Sequence, residues 1–240
     1  MIESKDNKKI KYLNKLRKNK YIYEENKFII EGKHLVEEAY NSGILLETYS
    51  TYDCNYGVIN TIVSDNVMSA ISYLPSKPDV IGVCKLIEEN NNFGNRIIIL
   101  DNVQDPGNVG TIIRSAKAFN FDTVVLSLDS VNKYNEKLIR ASQGMFFKTN
   151  IVTKDLKYFI PYIKNEGYNV YGTDVVNGVK VNSINDSKIA VVMGNEGTGI
   201  TLDIKKLLDK NIYIDINSKC ESLNVSVAAS IIMYEIDKGE

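Results

Sequence analysis

RIIILDNVQDPGNVGTIIRSA, residues 96–116, reads as strand, turn and helix in quick succession. Ile97 to Leu100 run without a polar interruption, which suits a strand buried on both faces. Asn, Asp, Pro and Gly fill the turn, and a helical run follows with Ile112, Ile113 and Ala116 apolar. Asn108 fits an N-cap, which puts Arg114 about one and a half turns inside that helix. The layout resembles a nucleotide-binding turn. Yet Gly107 and Gly110 form no GxGxxG, and no Lys-Ser or Lys-Thr follows a glycine as in a P-loop. Arg114, set among apolar neighbours, either snorkels to solvent or points at an anion.

Outward from this stretch the alternation continues. RIIILD, DTVVLS, YNVYGTD, KIAVVMG and NIYIDI are β-rich runs, separated by helical segments near 108–119, 135–142, 154–166 and 201–209, with 222–236 closing the chain. Nearly continuous apolar strands between helices indicate an α/β domain with a mostly parallel, Rossmann-like sheet covered on both faces. In such sheets ligands bind beyond the carboxyl ends of the strands, where the polar loops fall. Upstream, EENNNFGN (residues 88–95) breaks all periodicity and reads as a linker. Before it, KHLVEEAYN and NVMSAISYL read as helices and ILLETYST and DVIGVCKL as strands, a second, small α/β domain. The expected organisation is a basic segment 1–20, a small domain 21–87, the linker 88–95 and a larger domain 96–240.

The chain has 240 residues, a net charge of -1, 44% hydrophobic and 25% charged residues, which is ordinary for a soluble globular protein. The charge is uneven. Residues 1–20 hold Lys5, Lys8, Lys9, Lys11, Lys15, Arg17, Lys18 and Lys20 against Glu3 and Asp6, a basic excess that either attracts a polyanion or forms a solvated arm. Cys54, Cys84 and Cys220 have neither CxxC nor metal-ligand spacing, as expected of a reduced, cytoplasmic chain. No apolar region follows the basic start, and the run Val225 to Met233 is too short to span a membrane. The single histidine, His34, lies among Lys33, Glu37 and Glu38 and reads as a surface residue. A Ser-His-Asp set and a His-based zinc site are thereby excluded, and no metal is expected.

Two further segments stand out. VVMGNEGTGI, residues 191–200, ends a strand in a glycine-rich turn. Such a turn either simply reverses the chain or lets backbone groups approach a flat ligand. ESLNVSVAASIIMYE, residues 221–235, crowds Ser222, Asn224 and Ser226 at the start of a helix, more polar groups than one cap requires. Val225, Ala228, Ala229 and Ile232 give that helix a small face for close packing, in the core or across a dimer.

In order and spacing, NVGTIIRSAKAFN, VVMGNEGTGI and IYIDINSKCESLNVSVAAS resemble the three motifs of the SpoU (TrmH-type) RNA ribose 2′-O-methyltransferases of the SPOUT class. RASQGMFF, residues 140–147, resembles another recurrent family stretch. FIIEGKHLVEEAYNSG and IVSDNVMSAIS resemble the L30e-like RNA-binding domain that often precedes the catalytic one. The resemblance implies S-adenosylmethionine as methyl donor and an RNA ribose 2′-hydroxyl as acceptor. It also implies a homodimer formed through the catalytic domain and a C-terminal deep trefoil knot. Carried over by position, Asn108, Arg114, Glu196, Ser222 and Asn224 are the expected catalytic residues. Gly172, Thr173, Gly194, Asn195, Glu196, Gly197, Ile214, Ile216, Ser222 and Leu223 would surround the cofactor. Lys8, Lys9, Lys11, Lys15, Arg17, Lys18, Arg114 and Arg140 would face RNA.

One position departs from the family: Asp215 stands where proline is usual, between Ile214 and Ile216, with Ser218 in place of a glycine. That frees a backbone N–H and adds a charge beside the expected cofactor loop. Arg114 is often cast as the base in this family, but a guanidinium stays protonated up to roughly pH 12 and is a poor one. It is expected instead to bind an RNA phosphate and stabilise developing alkoxide charge. Asn108, Ser222 and Asn224 would orient the hydroxyl and fix Arg114, while Glu196 would hold Arg114 or its own turn. Ribosomal RNA is the expected substrate, because an L30e-like domain suits structured ribosomal elements. Transfer RNA and a non-catalytic RNA-binding protein are the alternatives, and the missing GxGxxG disfavours an NAD-linked enzyme.

Overall fold

Apolar residues three apart in KKIKYLNKL, namely Ile10, Leu13 and Leu16, give the first helix a buried stripe, so the basic N-terminus folds rather than trailing as an arm. The computed structural model describes residues 1–74, 76–174 and 178–238, and the chain divides into two units at Glu88/Glu89.

The first unit runs α1 (Lys8–Leu16), α2 (Asn19–Glu25), β1 (Lys27–Glu31), α3 (Lys33–Asn41), β2 (Leu45–Ser50), β3 (Ile59–Ile62), α4 (Asp65–Ile71) and β4 (Val80–Lys85). Its sheet has the order β1-β4-β2-β3, antiparallel except for the parallel β2–β3 pair. The α1 stripe shares a core with Val67, Met68 and Ile71 of α4 and Ile81 and Val83 of β4. Lys8, Lys9, Lys11, Lys15 and Lys18 remain exposed around it. Arg17 does not. Its side chain is 2% exposed and pairs at 2.7 Å with Glu31, itself 4% exposed, so this expected RNA contact serves the fold instead. His34 is exposed, as its charged neighbours imply.

The second unit runs β5 (Arg96–Leu100), α5 (Pro106–Ala118), β6 (Thr123–Ser127), α6 (Glu136–Ala141), β7 (Asn150–Lys154), α7 (Leu156–Asn165), β8 (Asn169–Thr173), β9 (Val179–Lys180), β10 (Ile189–Met193), α8 (Leu202–Lys205), β11 (Lys210–Tyr213) and α9 (Val225–Asp237). The seven strands are parallel, in the order β7-β6-β5-β10-β8-β11-β9. Every residue of β5, β6 and β10 is buried, which accounts for the apolar runs at their centres. Edge strand β7 reads NIVTK, with only two of its residues buried, and the periodicity of the sequence did not disclose it.

The asparagine-rich stretch expected to be a linker is built into this unit. Phe93 is buried against Phe159, edge to face at 5.1 Å. The Asn150 side chain donates to Asn90 O at 2.9 Å and accepts from Asn90 N at 3.3 Å. Glu89 pairs with Lys133 at 2.7 Å and with Lys154 at 3.2 Å. Side-chain hydrogen bonds replace periodicity here, and the boundary between the two units falls at the start of this stretch.

Helices α5 and α9 pack together, with Ser115 and Ser230 hydroxyls 2.7 Å apart and Phe119 against Tyr234. Val225, Ala229 and Ile232 of the small-residue face lie in the core of this one chain.

Candidate functional site

Strand order places the site. β6 and β7 extend from one side of β5 while β10 and β8 lie on the other, so the loops following β5 and β10 face each other at a topological switch point. Asn195 ties them: its Nδ2 donates to Asn102 O at 2.8 Å and its Oδ1 accepts from Gly197 N at 2.8 Å. Asp101 accepts from Thr201 N at 2.7 Å, a second tie between the same loops. Gly194 is required by packing, since a Cβ there would come within 2.2 Å of Gly199 C and Ile200 N.

The start of α5 differs from the sequence reading. Asp105, not Asn108, is the N-cap, its Oδ1 accepting from Asn108 N at 2.8 Å, with Pro106 in the first turn. Asn108 is thereby released from capping, and its side chain links three elements. Its Nδ2 donates to Glu196 Oε1 at 2.6 Å, and its Oδ1 accepts from Asn224 Nδ2 at 3.1 Å and from Ser226 Oγ at 3.3 Å. Asn224 caps α9, accepting from Ser226 N at 2.9 Å and Val227 N at 3.3 Å. The cap fixes which end of that amide is oxygen and so directs Nδ2 at Asn108. Ser226, read from sequence only as a surplus capping group, is 6% exposed and a member of this network.

Two expected partners lie elsewhere. Glu196 bonds Asn108 rather than Arg114. Arg114 is exposed on α5, one residue before the Ser115 that faces α9, and is not wired to Asn108 or Asn224. Ser222 is exposed, and among the described residues only its carbonyl is engaged, by Cys220 Sγ at 3.3 Å. Arg140 is half-buried at the end of α6, on the helix that packs tightly on α5 at Gly110, where a Cβ would meet Ala141 Cβ at 2.5 Å.

Beside Glu196 a cavity of about 250 Å³ opens, near the lower end for small-molecule clefts. Of the residues expected around a cofactor, Thr173, Gly194, Asn195, Glu196, Ile214, Ile216, Ser222 and Leu223 line it. Gly172 and Gly197 do not. Gly172 is a buried strand residue whose absent side chain admits Leu208, and Gly197 is exposed at the tip of the turn. Ile200, Ile212 and Ile232 supply an apolar wall, whereas Glu196 and Asp174 add carboxylates. That donor set fits a ligand with a flat heterocycle and a positive sulfonium. Asp215 points outward between Ile214 and Ile216 and pairs with Lys180 at 3.3 Å, so the departure from the family proline adds no charge to the cavity. A second opening, about 580 Å³, lies off the ends of β5 and β6 and carries Asp101, Asp129, Asp155 and Asp203 without contact to the Asn108 network.

Among the described residues no cluster of His, Cys, Asp or Glu could hold a metal ion, and no helix is long and apolar enough to cross a membrane. Burial pushes the Cys84 thiol up, away from thiolate chemistry.

A parallel sheet with an asparagine-centred network at the switch point, beside a cavity off the ends of β10, β8 and β11, is the frame of a ligand-binding α/β domain. The chain belongs to the SpoU rRNA Methylase family, whose pattern matches residues 95–234, while residues 7–82 match the MRM3-like substrate binding domain. It is 37% identical over 98% of its length, and 98% of the relative's, to the 23S rRNA (guanosine(2553)-2′-O)-methyltransferase RlmP of Bacillus subtilis. Its fold matches the AdoMet-bound rRNA methyltransferase from Sinorhizobium meliloti at a TM-score of 0.89, with 23% identity over 99% of this chain and 97% of that one. It also matches the SpoU methyltransferase AviRb from Streptomyces viridochromogenes, in complex with AdoMet, at 0.87, with 18% identity over 97% of each.

Proposed function

We propose that this protein methylates a ribose 2′-hydroxyl of ribosomal RNA with S-adenosylmethionine as donor. The observation that carries the reading is Glu196, which both lines the cavity and holds Asn108 of the motif-one helix. When bound, the cofactor supplies an electrophilic methyl group on sulfonium. The chain's own residues would align the acceptor oxygen with that methyl group and leave its hydroxyl proton a path to solvent. Alignment of that oxygen supplies much of the acceleration.

The chain's own residues have distinct tasks in this reading. Thr173, Gly194, Asn195, Ile214, Ile216 and Leu223 hold the cofactor, with Gly172 and Gly197 shaping the strand and turn behind it. Asn108 and Asn224 orient the acceptor hydroxyl, Ser226 and Glu196 position Asn108, and Ser222 meets the substrate from the cavity wall. Arg114, with Arg140 on the adjoining helix, binds phosphate.

The finer expectations belong to the same reading. The segment 214–224 would thread as part of a deep trefoil knot; its return to α9 beside the 194–199 turn supports this. A homodimer would form through the catalytic domain, supported by Val227 and Tyr234, 47% and 43% exposed on α9. Reduced Cys54 and Cys84, both buried, suit a cytoplasmic setting.

Labelled cofactor incubated with fractionated cellular RNAs, followed by ribose-methyl mapping, is expected to place the methyl on one ribosomal nucleotide. Label confined to transfer RNA, or no transfer, would overturn the reading. Because α1 is part of the core, the lysines are tested without deletion. A Lys8→Gln, Lys9→Gln, Lys15→Gln, Lys18→Gln variant should bind RNA more weakly and with a shallower salt dependence, by ~0.7 in log–log slope for each single-strand phosphate no longer neutralised. An unchanged slope would return these lysines to a merely solvated face.

A further inference from the structure

The buried Arg17 does more than pair with Glu31. Its guanidinium carbon lies 4.0 Å below the centroid of the Tyr73 ring, and that ring is 66% exposed. The backbone on either side of the ring is fixed as well. Tyr73 N donates to Glu31 Oε1 at 3.0 Å, Ser72 Oγ to Glu31 Oε2 at 2.7 Å, and Leu74 N to Ser72 Oγ at 3.0 Å. The Tyr73 hydroxyl makes no hydrogen bond among the described residues, so the ring is held by its inner face and its backbone. An aromatic disc is thus presented with one face on a cation and the other toward solvent.

The chain on either side of Arg17 is basic. Arg17 is the C-cap of α1 and Lys18 the N-cap of α2, with Lys15 and Lys20 close in the chain and all three lysines exposed. Lys15 Nζ also lies 4.4 Å from the centroid of Tyr21. A fixed, half-bare aromatic ring, stacked on an arginine whose chain neighbours are exposed lysines, matches what single-stranded nucleic acid requires: a π-face for a base and positive charge for its backbone.

We propose that Tyr73 is a stacking platform for an unpaired nucleobase of the RNA substrate, with Arg17 as the positioning residue that holds the ring. The proposal rests on the reading of the protein as RNA-directed and specifies where its first unit takes hold of a single-stranded element. The Arg17–Glu31–Ser72 cluster fixes the ring before RNA arrives, so little side-chain entropy is lost on stacking.

The chain contains no tryptophan, so Tyr73→Trp introduces a lone indole at the platform. Titration of the full-length Tyr73→Trp protein with a short single-stranded oligouridylate should quench its emission, and a duplex of the same length should do so far less. Tyr73→Leu keeps an apolar cover over Arg17 but removes the stacking face. Its affinity for the oligonucleotide should fall roughly tenfold, as expected for one lost base–aromatic stack. Tyr73→Phe should bind like the parent, and S-adenosylmethionine affinity should be unchanged in all three variants. Indole emission indifferent to the single strand, or undiminished binding by Tyr73→Leu, would overturn the proposal. So would emission that changes with protein concentration alone, which would assign the ring to a second copy of the chain. Cofactor binding and methyl transfer to ribosomal RNA are read separately, so failure of the platform and failure of the methyltransferase reading are distinguishable.

Discussion

Arg114→Ala is expected to slow methyl transfer by roughly 10²–10³-fold, the usual effect of removing one preorganised donor to developing charge. Cofactor affinity should not change, because Arg114 does not line the cavity. The geometry sharpens the reason. Were Arg114 locked in the Asn108 network, its loss would also misplace Asn108 and Asn224, and the effect would be structural. It is instead exposed, while Glu196 is already occupied by Asn108. Its donors are therefore available to a phosphate and an alkoxide, and a guanidinium fork reaches two oxygens where an ammonium acts as a point charge. Arg114→Lys should accordingly recover only a small part of the lost rate, with the deficit in kcat as well as KM. Near-normal turnover by Arg114→Lys would defeat the phosphate-fork role, and a parallel loss of cofactor binding in Arg114→Ala would show the residue to be structural.

How much of this site was legible in the sequence depends on what kind of signal each residue leaves. Apolar runs marked the centres of β5, β6 and β10, because strands buried on both faces confine polar residues such as Arg96, Thr123 and Ser127 to their ends. Edge strand β7 carries no such run, and β9 is only Val179–Lys180. The cavity wall was legible because glycines and a Ser-Leu-Asn element sit in recognisable order, yet Gly172 and Gly197 were placed on the ligand when packing and turn geometry account for them. Asn108 was recognised both as a cap and, by resemblance, as a site residue, and the capping part was misplaced. Asp105 and Asn108 are both good capping residues, and only the position of Pro106 in the first helical turn decides between them. Ser226 showed only as one polar group too many for a cap, since its partner 118 residues away leaves no mark in the local sequence. The basic N-terminus misled most, because eight basic residues in 1–20 obscured the three buried positions between them.

That same segment yields the largest expected effect on stability. Arg17→Met should destabilise the first unit by about 3–5 kcal/mol, the usual result of removing one member of a buried ion pair. The loss comes from what remains: Glu31 is left charged at 4% exposure with only Ser72 and the Tyr73 N–H as donors. Against a domain stability of roughly 5–15 kcal/mol, this is a large share. Burial alone would raise the Glu31 carboxyl, but Ser72, Tyr73 and Arg17 outweigh it and hold the group below its ordinary value of 4.5. The sign of the pH dependence follows. A depressed carboxylate contributes stability that is fully present above pH 4.5 and is lost as pH falls through the lower folded value. Without Arg17 that preference for the charged form weakens, so the deficit of Arg17→Met should be greatest near neutrality and narrow on acidification. Adding Glu31→Gln should restore much of the loss at neutral pH, since a neutral amide can still accept from Tyr73 N at its one oxygen and donate its NH2 to the Ser72 hydroxyl. Hydrogen exchange of the β1 and β4 amides in the full-length protein reads this unit separately from the second. Protection within about 1 kcal/mol of the parent in Arg17→Met would mean that the pair contributes little. A double variant no better than the single would mean that the guanidinium acts through its packing under Tyr73 rather than through its charge.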